Sequence, residues 1–203
     1  HRQRAEAREA GMDVRQLLTE LAARLAADKR SPIESLATDP GLAAANPTGR
    51  IPVLVRPEGP AIVDSRVICR FLDARWSLGL YPEARLWEVL TLEALADGMA
   101  ESSVLMAYEV RLRPEGERSQ AWIEAQWGKV ARGLDALEDR WASHLAGPLD
   151  MGQVAVAAML GHVDLRHAAR GWREGRPVLA AFAARMGRRP SLAATAPSNA
   201  TAP

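Results

Sequence analysis

The hydrophobic pattern changes its period within residues 45–73, the most informative stretch of the chain. Two short apolar runs, residues 51–55 and 61–63, flank the sequence Pro-Glu-Gly-Pro, and Asp64-Ser65 then begins an amphipathic segment. Turn residues between two apolar runs are typical of two strands joined by a turn. The pattern therefore predicts strand, turn, strand and helix. The helix, residues 65–75, is predicted to bury its apolar side chains Val67, Ile68, Phe71 and Leu72.

Upstream of this stretch the pattern predicts one helix. Residues 1–13 contain almost nothing apolar larger than alanine and mix arginine with glutamate, which is typical of a solvated segment. From Asp13 onward leucines recur at helical spacing, so a helix is predicted over residues 13–28 with Asp13 at its cap. Residues 33–36 predict at most a short edge strand, and residues 38–45 predict a loop with about one helical turn.

Downstream of Pro82 the pattern predicts helices and no strand. The predicted helices span about residues 83–110, 119–145, 150–165 and 178–186, followed by a tail of small residues at 190–203. The second helix carries an apolar stripe that indicates core packing, namely Ile123, Trp127, Val130, Leu134, Leu137, Trp141 and Leu145. Gly98 is expected to mark a kink or a close packing point in the first helix.

A capping box is predicted where the third of these helices begins. Asp150 can accept from the backbone N–H groups of the first turn, and Gln153 can reach back to the cap. Leu149 and Val154 have the spacing of a hydrophobic staple. These features favour folding of the helix and point to no chemistry.

The order of the elements predicts an α+β, α-rich protein in two parts. A strand-containing part would occupy residues 1–76 and an all-α helical bundle residues 85–190. Residues 77–84 are predicted to link them, and residues 191–203 to form a flexible tail.

Composition narrows the function without naming it. The chain has 203 residues, 26 basic against 25 acidic residues and one cysteine. A net charge of +1 favours neither nucleic acid nor an anionic membrane as a partner, and one cysteine allows no intramolecular disulfide. No run reaches the roughly 20 apolar residues of a membrane span, so a cytoplasmic protein is expected. Because the sequence does not begin with methionine, we expect a fragment or an unusual start.

The junction sequence NPTGRIPVLV…VDSRVICRFLD, ahead of an all-helical half, resembles the cytosolic glutathione transferases of bacterial type. The similarity covers about residues 38–190. It implies a thioredoxin-like N-terminal domain followed by a helical-bundle C-terminal domain, with a cis peptide bond at Ile51-Pro52. It also implies conjugation of glutathione, as co-substrate, to a small hydrophobic electrophile, a role in detoxification, a homodimer and no metal.

The resemblance assigns glutathione binding to Arg50, Ile51, Pro52, Asp64 and Ser65. In the family the serine holds the γ-glutamyl carboxylate, the acid meets the ammonium group, and a basic residue before Ile-Pro meets the glycyl carboxylate. A helix N-terminus suits a carboxylate because its N–H groups are free and its end carries partial positive charge. The alternatives are an ordinary N-cap for Asp64 and a solvated surface side chain for Arg50.

No catalytic residue is identified. In the family a Tyr, Ser or Cys near the end of the first strand stabilises the thiolate, which is the nucleophilic form of the thiol. The corresponding residues 9–13 read Glu-Ala-Gly-Met-Asp, and no apolar first strand precedes them. Two explanations stay open: a shifted frame or mis-assembled gene upstream of about Leu36, or divergence to a catalytically impaired glutathione-transferase-like binding or interaction protein.

Other side chains give weaker indications. Met106 and Tyr108 are candidates to line a hydrophobic co-substrate pocket, with core packing as the alternative for Met106. Cys69 is expected to be a structural cysteine, and His162 and His167 are five residues apart, a spacing that does not favour a metal site. A third interpretation is a helical scaffold whose arginine-rich N-terminal arm binds nucleic acid.

Overall fold

The computed structural model describes residues 40–57 and 59–196 of the chain. The helix predicted at residues 13–28 and the solvated segment predicted at residues 1–13 lie outside the described residues. The residues where the family has its first strand lie outside them too, as do residues 197–203 at the end of the predicted tail.

The predicted strand, turn, strand and helix are all present. A short helix, α1 (Pro40–Ala45), precedes a hairpin of strands β1 (Val53–Leu54) and β2 (Ile62–Val63), and helix α2 (Ser65–Trp76) begins two residues after β2 ends. The strands pair antiparallel, with Val53 opposite Val63. Each strand is shorter than the apolar run that predicted it.

Helix α2 packs against both strands of the hairpin and leaves its first turn uncovered. Ile68, Phe71 and Leu72 are partly buried, in agreement with the sequence. Val67 is 54% exposed, so its predicted burial is wrong. Its position accounts for this, because residues 63–67, the end of β2 and the first turn of α2, are all exposed.

The second half contains only helices among its described residues. Their bounds are α3 (Leu86–Leu112), α4 (Gln120–Asp139), α5 (Ala142–Ala146), α6 (Met151–His167), α7 (Pro177–Gly187) and α8 (Pro190–Ala194). Short 3-10 turns lie at Glu83–Arg85, Glu115–Glu117 and Ala168–Arg170. Helix α3 packs against α6 and α4, and the core lies between them. None of the helices in the described residues is long and apolar enough to cross a membrane.

The helix predicted over residues 119–145 is two helices, α4 and α5, which meet at Arg140 and Trp141. Neither glycine nor proline marks the break, so the hydrophobic pattern could not reveal it. The apolar stripe itself is confirmed as core. Trp127 and Trp141 are partly buried against the core, and the other five residues are buried: Ile123, Val130, Leu134, Leu137 and Leu145.

Two glycines other than Gly98 mark the close packing points of α3. A Cβ at Gly98 would meet nothing within 4 Å, so Gly98 is not a close packing point among the described residues, and the alternative of a kink stays a prediction. A Cβ at Gly133 would collide with Met99, and a Cβ at Gly152 would lie 3.0 Å from the carbonyl oxygen of Val89. These glycines let α4 and α6 approach α3 closely.

The predicted cap of α6 is present, but its partner acts differently. Asp150 Oδ1 accepts from the backbone N–H of Gln153 at 3.1 Å. The Gln153 side-chain amide donates to the carbonyl oxygens of His144, Gly147 and Pro148 at 2.9, 3.3 and 3.0 Å. Because the preceding loop offers three carbonyl acceptors, Gln153 ties that loop to α6 and does not complete the predicted capping box.

The segment predicted as a tail begins with a short helix. Helix α8 occupies residues 190–194, and Leu192 within it packs against the core of the bundle. The rest of the predicted division into domains and linker stays a prediction.

Candidate functional site

The register of the hairpin brings the two halves of the predicted glutathione site to one place. Val53 lies opposite Val63, and residues paired across adjacent strands are about 5 Å apart. Ile51-Pro52 immediately precedes the first of these residues, and Asp64-Ser65 immediately follows the second. Both pairs therefore lie at the same end of the hairpin. The Ile51-Pro52 peptide bond is cis, as the resemblance implies.

Asn46 shapes the loop that leads to Ile51-Pro52. Its side chain is buried, its Nδ2 donates to the carbonyl oxygen of Arg50 at 2.7 Å, and its Oδ1 accepts from Thr48 N at 3.1 Å. The Arg50 residue is exposed although its carbonyl is held. Sequence analysis passed over Asn46; the Asn-Pro pair, a turn signal, could have pointed to it.

Asp64 begins α2 in a backbone conformation that is uncommon for a residue other than glycine. Its φ is 73°, in the left-handed range. Its Oδ1 accepts from the backbone N–H of Arg66 at 3.0 Å, so Asp64 is also an N-cap. Hydrogen bonds from the side chain and backbone of Arg66 lower the pKa of the carboxyl. Asp64 is therefore ionised at neutral pH.

Ser65 is the first residue of α2, and its exposed hydroxyl has no hydrogen-bond partner among the described residues. The helix has 12 residues, long enough to give its N-terminus partial positive charge. An ionised carboxylate beside a free hydroxyl and a helix N-terminus fits an ammonium group and a carboxylate on one ligand. A γ-glutamyl group carries both.

Arg66 connects the start of α2 to the middle of α3. Its Nε lies 3.2 Å from Asp64 Oδ1 and 3.3 Å from Asp97 Oδ2. Sequence analysis did not single out Asp97. Through these ion pairs, the face of α3 that carries Asp97 contacts the start of α2.

A buried carboxyl group that sequence analysis missed lies on the same helix. Glu93 is 3% exposed, its Oε1 accepts from the Tyr81 hydroxyl at 2.7 Å, and its Oε2 has no partner among the described residues. Burial raises the pKa of Glu93. Its spacing from Val89 and Ala96 puts it on the apolar face of α3, and that spacing could have revealed it.

Cys69 offers no reactive thiol. Its side chain is partly buried in α2, and burial raises its pKa to about 11. The thiol is therefore protonated at neutral pH, which supports the predicted structural role.

The two predicted co-substrate residues lie on different sides of α3. Met106 is 2% exposed and belongs to the interior, which is the core-packing alternative. Tyr108 is 39% exposed and lines a shallow cleft with Leu105 and Trp122. Residues two apart on a helix point about 200° apart, so Met106 and Tyr108 do not line one cleft among the described residues, and their assignment to a co-substrate pocket stays a prediction.

Two domain families match the sequence. The family described as glutathione S-transferase, N-terminal domain, matches residues 15–75, and the family described as glutathione S-transferase, C-terminal domain, matches residues 120–185. The first match includes residues 15–36, which lie upstream of the junction sequence.

Individual proteins give the same result. The chain is 30% identical over 167 residues to the uncharacterized GST-like protein YibF of Escherichia coli K12, with 80% of this chain and 82% of the relative covered. A glutathione transferase family member from Pseudomonas fluorescens Pf-5, solved with bound glutathione, is 39% identical with a TM-score of 0.77, covering 83% of this chain and 82% of that chain. A second structure from that organism, with bound S-(propanoic acid)-glutathione, is 39% identical with a TM-score of 0.72, covering 76% and 80%.

Proposed function

Because the chain belongs to the glutathione S-transferase family, we propose that it binds glutathione and conjugates it to a small electrophile. Arg50, Ile51, Pro52, Asp64 and Ser65 form the glutathione site in this proposal. The fold is that of the family, with a thioredoxin-like N-terminal domain and a helical C-terminal domain. A cytoplasmic location and a role in detoxification are parts of the proposal.

The start of α2 is the observation that carries the proposal. A non-glycine residue held at positive φ costs of order 1–3 kcal/mol, and such residues cluster at functional sites. Asp64 has this unfavourable positive φ although it is not glycine. It lies next to the free Ser65 hydroxyl, at the same end of the hairpin as the cis Ile51-Pro52 bond. An N-cap alone needs no positive φ, so recognition of a γ-glutamyl group explains the arrangement better.

The electrophile would lie against the helical half, where two shallow clefts open near the end of α3. Tyr108 lines one cleft, and Ala107 lines the other, between α3 and α6. The structure of a neighbour with S-(propanoic acid)-glutathione supports a site that tolerates a substituent on the sulfur. The alternative, a catalytically impaired binding protein, is favoured by the lack of a thiol-activating hydroxyl or thiol in residues 9–13.

Calorimetric titration and a conjugation assay test the proposal. We expect the full chain to bind glutathione and to conjugate it to 1-chloro-2,4-dinitrobenzene, and we expect Ser65→Ala to weaken binding about tenfold, because a hydrogen bond to a charged group is lost. Ser143→Ala, an exposed serine in the first turn of α5, is the matched control. Binding without turnover would favour the impaired protein. Equal affinity of the Ser65→Ala variant would remove the proposed site.

We also propose a homodimer, carried by an exposed apolar stripe on α3. Trp87 is 76% exposed and Leu105 is 43% exposed, and Ala94 and Gly98 between them are exposed as well. Their spacing of seven, four and seven residues puts all four on one face of the helix. Exposed apolar side chains grouped on one helix face mark an interaction site, and a second copy of the chain would bury them.

Charge placed in this stripe is expected to separate the dimer. Leu105→Lys should shift the molar mass measured by light scattering after gel filtration from about twice that of the chain to that of one chain, because an unpaired charge in an apolar interface costs several kcal/mol. Val178→Lys is the control, since Val178 is 43% exposed but lies on α7. A wild-type protein that is monomeric at micromolar concentration would contradict the proposal.

A further inference from the structure

The cleft between the C-terminal ends of α3 and α6 combines an apolar lining with basic side chains. Its volume is about 240 Å³. The lining residues are apolar, Ala107, Val110 and Leu165, or basic, Arg111, Arg166 and His167. None of the six carries a carboxyl group.

Neither arginine of this cleft has an acidic partner among the described residues. The nearest acids along the chain are engaged elsewhere: Glu109 Oε2 lies 2.8 Å from Arg113 Nε, and Asp164 Oδ1 lies 2.6 Å from an Arg173 guanidinium nitrogen. Helix C-termini carry about half a negative charge each. Two full positive charges outweigh these ends, so the cleft favours an anion.

His167 adds a hydrogen-bonding group to the cleft. Its Nε2 lies 3.0 Å from the carbonyl oxygen of Ser103, so Nε2 carries a proton and donates. No described residue hydrogen-bonds its other ring nitrogen, Nδ1. Two buried polar atoms of neighbouring side chains, Ser103 Oγ and His162 Nε2, also have no partner among the described residues.

Each of the two clefts includes a residue of α3 near the face that carries Asp97: Arg111 in this cleft and Tyr108 in the other. Asp97 contacts Arg66 at the start of α2, and Arg111 follows fourteen residues later, within about 40° of the same face and roughly 21 Å along the axis. The cleft lined by Tyr108 includes Leu105, which belongs to the apolar stripe proposed for the second copy. The cleft between α3 and α6 is therefore the better place for the electrophile.

We propose that this cleft selects electrophiles that carry a carboxylate, with Arg111 and Arg166 binding the carboxylate and the apolar lining holding an aromatic ring. This inference rests on the proposed conjugation activity for its chemistry. With 4-chloro-3-nitrobenzoate, the thiolate sulfur of glutathione attacks the ring carbon that bears chlorine. A carbon–sulfur bond forms, the carbon–chlorine bond breaks, chloride leaves, and the thiol proton goes to solvent.

The test compares 4-chloro-3-nitrobenzoate with its uncharged methyl ester. We expect the wild-type protein to bind the acid more tightly than the ester in calorimetric titrations without glutathione. The Arg111→Gln and Arg166→Gln variants are each expected to weaken binding of the acid about fivefold, as for a partly exposed ion pair, and to leave the ester within about twofold. The KM for the acid in the conjugation assay should rise in parallel.

Arg188→Gln is the matched control, because Arg188 is also exposed at the C-terminal end of a helix, α7. The Arg188→Gln variant should bind the acid and the ester as tightly as the wild-type protein does. If the cleft arginines serve only to balance helix ends, the variants will lower stability and leave the preference for acid over ester unchanged, and the inference is wrong. Titration without glutathione tests the cleft separately from the proposed glutathione transferase function. If the protein prefers the acid but does not bind glutathione, the proposed function is wrong and the inference about the cleft stands.

Discussion

Replacing Asp64 with asparagine is expected to weaken glutathione binding about tenfold while changing the stability of the protein little. The carboxylate is 43% exposed, and hydrogen bonds between charged groups are worth about 1.5 kcal/mol or more, so a loss of this size follows when the charge is removed. Asparagine caps helices as well as aspartate does and tolerates positive φ. The variant therefore isolates charge from backbone geometry. Calorimetric titration with glutathione and a thermal melt of each protein measure the two effects.

Asp139→Asn is the control for this variant, because Asp139 is exposed at the end of α4 and has no ion pair among the described residues. Arg66 lowers the pKa of Asp64, so the carboxylate is ionised from pH 6 to pH 8 and the loss of affinity should be the same across that range. If Asp64→Asn binds glutathione as tightly as the wild-type protein, Asp64 is only a helix cap.

The local pattern predicted the hairpin and the helices because hydrophobic periodicity reports which face of each element is covered. The same pattern could not reveal the break between α4 and α5, since the apolar stripe continues through Trp141 to Leu145 without a glycine or proline. It also failed at Val67. Burial there depends on where neighbouring elements end, and that is a property of the tertiary fold.

The site was predictable where a resemblance supplied positions and unpredictable where packing decides. The pairs Ile51-Pro52 and Asp64-Ser65 follow from the junction sequence, and the register of the hairpin brings them to the same end. Glu93 and Asp97 were missed because an acidic residue on a long helix is usually solvated. The spacing of Glu93 from Val89 and Ala96 does indicate the apolar face of α3, but nothing in the local sequence says that Arg66 of α2 reaches Asp97. Met106 and Tyr108 are close in sequence, but residues two apart on a helix lie on nearly opposite sides of it.

Asp150 should be the most damaging position to truncate in the helical half. It is fully buried, and it combines three interactions: it accepts from Gln153 N at 3.1 Å, lies 2.8 Å from His144 Nε2, and lies 3.3 Å from an Arg85 guanidinium nitrogen. The last contact connects α6 to the turn that precedes α3. Removing one partner of a buried charged pair costs about 3–5 kcal/mol because the other partner is left without compensation.

We expect Asp150→Ala to lower the free energy of unfolding by about that amount, measured as the midpoint shift in urea at constant slope. Asp150→Asn keeps one oxygen acceptor for the helix cap, but it loses the charge and puts an NH2 donor where Oδ2 faces His144 and Arg85, so it should be less damaging than alanine only by the value of the cap, about 1 kcal/mol. Ser119→Ala removes an exposed cap, where the hydroxyl accepts from Trp122 N at 3.3 Å, and should cost about 1 kcal/mol. If Asp150→Ala costs no more than Ser119→Ala, then Asp150 is an ordinary helix cap and the contacts with His144 and Arg85 do not stabilise the bundle.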